Sequence, residues 1–109
     1  METQKGNNKP EENKIQELQL LEQSLQNTLM QKQAFQMELS ETQAALGELK
    51  NSGDEVFKII GQLMIKSEKS KITDDLENKE KILNLRISTL EKQENSLTEK
   101  FEDLRKEIL

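Results

Sequence analysis

Leucine recurs every seven residues at Leu76, Leu83, Leu90, Leu97 and Leu104. A period of seven suits a helix that buries one narrow seam against another helix. Thr73, Glu80, Ile87, Glu94 and Phe101 fill the alternate seam positions, so this seam is strict at one position and loose at the other. Upstream, a 3-4 spacing picks out Leu18, Leu21, Leu25, Thr28, Lys32, Phe35, Leu39, Thr42, Leu46 and Leu49 as a second seam. Only 32% of the 109 residues are apolar and 34% are charged, too few hydrophobes for a thick globular core. Leu, Ile, Lys, Glu and Gln are good helix formers, so the same bias points to long helices and away from disorder.

The residues fall into a simple order. Residues 1–12 carry Gly6, Asn7, Asn8 and the single proline, Pro10, without apolar periodicity, and read as a flexible tail. A helix is expected over about 13–51, stopping at Asn51-Ser52-Gly53, and a second over about 71–109, with Asp74 and Asp75 suited to its positive end. Residues 13–109 thus form one domain.

Folding the chain back on itself pairs Leu18 with Leu104, Leu21 with Phe101, Leu25 with Leu97, Phe35 with Ile87, Leu39 with Leu83 and Leu46 with Leu76. Heptad phase alone also allows registers seven residues to either side, and the short connection selects this one. The remaining layers, Thr28 with Glu94, Lys32 with Leu90, Thr42 with Glu80 and Leu49 with Thr73, contain polar members that cost stability and help to fix register. The helices have nearly equal length and should end together at a tip holding Ile15, Leu18, Leu104, Ile108 and Leu109.

The connection is longer than the roughly 2 to 8 residues a plain helical hairpin needs. Val56-Phe57-Lys58-Ile59-Ile60 and Leu63-Met64-Ile65-Lys66 are β-branched and apolar runs separated by Gly61-Gln62, which predicts a β-hairpin over about 55–67 with a two-residue turn. Phe57 and Ile59 face one side, Val56 and Ile60 the other. Apolar on both sides and open at both edges, such a hairpin is marginal alone, and pairing with other chains is the economical solution. The alternative is a hairpin that caps the coiled coil of a monomer or dimer.

The order of long helix, Val-Phe-Lys and Leu-Met-Ile-Lys strands and long helix closely resembles the β-type subunits of prefoldin. The resemblance covers nearly the whole chain from about Lys14. It includes Gln31-Lys32-Gln33 leading to Glu41-Thr42-Gln43-Ala44-Ala45-Leu46, and Leu90-Glu91-Lys92-Gln93-Glu94 in the second helix. It implies a mainly α fold, a long antiparallel two-helix coiled coil whose hairpin assembles into an oligomeric β-barrel platform. It also implies a hexamer of two α-type and four β-type subunits, an ATP-independent molecular chaperone that holds unfolded clients at the coiled-coil tips and delivers them to a group II chaperonin in the cytoplasm. The α type carries a second hairpin, for which this chain has no sequence.

On this reading Val56, Phe57, Ile59, Ile60, Leu63, Met64 and Ile65 mediate assembly. Ile15, Leu18, Leu104, Ile108 and Leu109 contact clients, although Leu18 and Leu104 also suit the last seam layer. The rival function is a structural coiled-coil adaptor bridging defined partners. The absence of His and Cys removes the usual bases, thiol nucleophiles and metal ligands, so no enzyme, metal or cofactor is expected. No phosphate-binding loop is present, the net charge of -5 argues against nucleic acid, and no run is long enough to span a bilayer. Without cysteine, and without an apolar stretch in Met1–Lys5, a cytosolic protein is expected. Met30, Met37 and Met64 are expected to pack, with Met37 also placed to offer an adaptable outer surface.

Overall fold

The computed structural model describes residues 10–109. Helix α1 runs Pro10–Asn51, strand β1 Glu55–Ile60, strand β2 Leu63–Glu68 and helix α2 Lys69–Ile108. Most of the expected tail lies outside the described residues. Its last three, Pro10, Glu11 and Glu12, are already helical. Proline suits a first helical position, where its missing N–H has no partner to lose, and Glu11 and Glu12 lie at the positive end of the helix dipole.

Helix α1 stops at Asn51 without a left-handed glycine, since Gly61 is the one described glycine with positive φ. The end is instead closed by Ser52, whose N–H and Oγ both donate to the Leu49 carbonyl at 3.2 and 2.9 Å. Lys69 Nζ donates to the Ser52 carbonyl at 2.9 Å, placing a cation at the negative end of α1. Helix α2 starts directly after β2, so its first turn contains no acidic residue. Asp74 and Asp75, expected at the start, lie a turn further in, because no linker separates β2 from the helix.

The described residues divide into two compact units, Ala34–Ser88 with the hairpin, and residues 10–33 together with Thr89–Leu109. In the hairpin unit every expected seam position of both helices is buried or half-buried, with Leu83 the most enclosed at 2% exposed. The Arg86 guanidinium stands 5.6 Å from the centre of the Phe35 ring, and Lys79 bridges Glu38 at 3.1 Å. Arg86 precedes Ile87, the expected partner of Phe35. A shift of seven residues moves a partner by about 10 Å along the axis, more than these contacts allow. The seam therefore takes the expected register.

The other unit follows the same rule: its ten seam positions are buried or half-buried, with Leu90, Leu104 and Thr28 the best covered. In two of the polar layers the threonine hydroxyl is satisfied within its own helix: Thr28 donates to the Ser24 carbonyl at 2.9 Å, and Thr42 likewise donates to the Glu38 carbonyl at 2.8 Å. A threonine hydroxyl reaches the carbonyl one turn back more easily than a group across the seam. Glu94 accepts from Lys32, which extends one turn past Leu90.

Met30, Met37 and Met64 do not pack. Each is about two-thirds exposed. Met30 and Met37 sit at the heptad position opposite the seam, and Met64 lies on the open face of the hairpin.

Candidate functional site

The strands pair antiparallel, with Val56 opposite Ser67, Phe57 opposite Lys66, Lys58 opposite Ile65, Ile59 opposite Met64 and Ile60 opposite Leu63. Gly61 takes φ +60° and no other described residue has positive φ, so the turn has its one left-handed position at its first central residue, the type II′ pattern. That turn matches the twist of the flanking strands and makes Ile60 and Leu63 a hydrogen-bonded pair. Alternation along the ladder then turns the backbone groups of Glu55, Phe57 and Ile59 outward from β1, and those of Met64, Lys66 and Glu68 outward from β2. Among the described residues no third strand meets either edge.

Period-two alternation puts Phe57, Ile59, Met64 and Lys66 on one face and Val56, Lys58, Ile60, Leu63 and Ile65 on the other. Val56 alone is buried, at the strand end nearest the helices. Phe57, Ile59, Ile60, Leu63, Met64 and Ile65 are all 44% exposed or more. Six adjacent large apolar side chains on a two-stranded sheet exceed the scattered exposure normal for a surface. The seven expected assembly residues are thus brought together on one element.

At the base of β1 lies a groove of about 570 Å³ lined by Leu49, Val56, Phe57, Ile72 and Leu76, with the exposed Glu48 and Glu55 also on its walls. Sequence reasoning missed this groove, because it forms where the end of α1, the start of α2 and β1 converge. It also missed the Lys69–Ser52 tie that joins those elements, for the same reason.

The second group of expected residues, near the chain ends, is not equivalent in exposure. Ile15 is 43% and Leu109 89% exposed, Leu18 and Ile108 are half-buried, and Leu104 is buried at 7% exposed. Leu18 and Leu104 sit in the seam, so Leu104 offers no open surface. Lys14 approaches Glu107 at 3.7 Å between the same two helix segments, an exposed pair of small energetic worth.

Among the described residues Lys32 and Glu94 make the shortest ion pair, 2.6 Å from Nζ to Oε1, with both side chains mostly covered. The hydrogen bond to Glu94 holds the Lys32 amine above the ordinary lysine value; its partial desolvation opposes this, and the charges of Glu94 and Glu91 add to it. Both residues occupy seam positions one turn apart in the expected register, so the pair was legible to anyone allowing for the reach of a lysine. Among the described residues no cluster of three or more acidic groups is placed to hold a metal ion. No described helix is long and apolar enough to cross a membrane.

Two long helices joined by an exposed, open-edged β-hairpin define a class of helical-hairpin proteins. Residues 12–109 match the family model described as prefoldin subunit. The chain is 36% identical over 94 residues to the prefoldin subunit beta of Thermococcus onnurineus, covering 84% of this chain and 81% of that protein. It is 38% identical over 93 residues to the prefoldin subunit beta of Sulfurisphaera tokodaii, covering 84% and 74%. The crystal structure of the prefoldin beta subunit from Thermococcus strain KS-1 superposes with a TM-score of 0.84 at 35% identity, over 92% of this chain and 90% of that one. The chain belongs to the prefoldin subunit family, a family of chaperones.

Proposed function

We propose that this chain is a β-type subunit of a cytoplasmic, ATP-independent holdase, a hexamer of two α-type and four β-type subunits that passes unfolded proteins to a group II chaperonin. The observation that carries the reading is the hairpin: six exposed apolar side chains on a sheet with two open edges, in a chain whose relatives are named prefoldin beta subunits. A sheet of this kind is unstable in water by itself and is completed by strands of neighbouring subunits closing into a barrel.

Client holding then falls to the helix segments near the chain ends. Ile15 and Leu109 supply open apolar surface, Ile108 supplies part of one, and Leu18 and Leu104 become available only where the last seam layer opens. Burial of apolar area is non-directional, so such a surface accepts many sequences without nucleotide chemistry. The test is light scattering of two unrelated denatured proteins diluted into buffer without ATP, in the presence of this chain assembled with an α-type subunit. Suppression of both at near-stoichiometric hexamer supports a general holdase. Failure despite a confirmed hexamer favours an adaptor between defined partners.

A further inference from the structure

The chain has four methionines and no cysteine, histidine, tryptophan or tyrosine, so thioether sulfur is the most readily oxidised group it carries. Met1 lies outside the described residues. Met30, Met37 and Met64 are 67, 68 and 68% exposed, so an oxidant in solution reaches all three alike. Their surroundings differ. Met30 and Met37 stand one heptad apart on the outer side of α1, one turn from Gln26, Asn27, Gln33 and Ser40. Met64 stands on β2 opposite Ile59, on the strand face that also carries Phe57. We propose that Met64 is a sulfoxidation site that controls assembly: hydrogen peroxide oxidises it in the free subunit, and the sulfoxide keeps the hairpin from being covered.

The chemistry needs no group from the protein beyond an open thioether. The sulfur lone pair attacks one peroxide oxygen, and the O–O bond breaks as the S–O bond forms. Sulfur loses two electrons to the peroxide, whose second oxygen leaves as water after a proton shift. A flexible apolar side chain thereby becomes a polar one that accepts hydrogen bonds and donates none.

Control by Met64 rests on the reading of the hairpin as an assembly element and goes beyond it in naming a modification, its site and its oxidant. In the free subunit water solvates the sulfoxide oxygen, and oxidation leaves the helices untouched because Met64 lies outside the seam. When a neighbouring subunit covers the face, that oxygen loses its water, and Phe57 and Ile59 offer no donor in exchange. Lys66 is the one donor side chain on the face, and a lysine head remains best solvated in water. At Met30 and Met37 the same oxidation meets polar neighbours on a face away from the hairpin, so it leaves assembly unchanged. Protection runs the same way: covering the hairpin shields Met64 from peroxide, while Met30 and Met37 keep their exposure.

The test treats three free subunits with hydrogen peroxide: this chain, its Met30→Leu/Met37→Leu form and its Met64→Leu form. Each is then titrated with an α-type subunit by native mass spectrometry, with circular dichroism following the helices. Treatment should raise the apparent dissociation constant about tenfold in the first two and leave the Met64→Leu form at its own untreated value. An equal loss in the Met64→Leu form, or no loss in this chain, overturns the proposal. Peptide mass spectrometry of sulfoxide formation supplies the second reading. The three methionines should react at rates within about threefold of one another in the free subunit, and Met64 should slow about tenfold in the assembled one while the other two do not. Met64 reacting as fast in the hexamer as in the free subunit overturns the proposal and spares the proposed function. Failure of the untreated chain to assemble with an α-type subunit overturns both.

Discussion

Lys32 Nζ lies 2.6 Å from Glu94 Oε1 inside a seam that is otherwise mainly leucine, and it reaches there by passing Leu90, the residue directly across from it. A charged pair in such a place costs desolvation, and each partner offsets that cost for the other. Lys32→Leu or Glu94→Leu alone should therefore lower Tm, by stranding the other charge. The double substitution should recover or exceed the original Tm, because apolar residues fill the same layers at no desolvation cost. Thermal denaturation followed by circular dichroism checks this, and equal Tm in all four chains would show the pair to be idle.

The same pair predicts an alkaline transition. The folded-state pKa of Lys32 is raised above the ordinary value of 10.5. Its contribution is thus fully present below that value and is lost as pH rises through the folded-state pKa. Urea midpoints should be insensitive to Lys32→Met replacement only at strongly alkaline pH. The difference between the two chains should be constant from pH 7 to 9.

Packing makes a sharper distinction between leucines. Leu83→Ala, at a position 2% exposed, should cost about 2 to 5 kcal/mol by removing contacts and leaving a cavity. Leu20→Ala, at a position 63% exposed, should change stability by about 0.5 kcal/mol or less. Equilibrium urea denaturation measures both.

Two glycines should respond in opposite directions. Gly47 lies inside α1 and an added Cβ meets nothing within 4 Å, so Gly47→Ala should stabilise by about 1 kcal/mol through helix propensity. Gly61 has equal space but a φ of +60°, so Gly61→Ala should cost about 1 to 2 kcal/mol through backbone strain alone, and Gly61→Asn less. Calorimetry of the two alanine variants gives the signs directly.

For client holding, Ile15→Ser combined with Leu109→Ser should weaken aggregation suppression several-fold while leaving Tm and hexamer mass unchanged, since both side chains are exposed. Suppression at the original level would place the client surface elsewhere, with the exposed Met30 and Met37 the next open apolar side chains on the first helix.

Much of this molecule was legible in its residue order because two simple periods carry it. The seven-residue recurrence from Leu76 to Leu104, and the 3-4 spacing from Leu18 to Leu49, select the buried side of each helix whatever the details of packing, and all twenty seam positions are covered. Gly61-Gln62 between two β-branched runs specifies the turn and therefore the strand register, since a two-residue connection permits little else. The tertiary structure decided what depends on reach and convergence. It turned Thr28 back onto Ser24 and gave Glu94 to Lys32, because a long flexible amine crosses a turn that a short hydroxyl cannot. It buried Leu104 and left Ile15 exposed, although the two are equally apolar, because only one of them points across the seam. It also made the groove beside β1 from residues far apart in the chain, and no local pattern records where three elements meet.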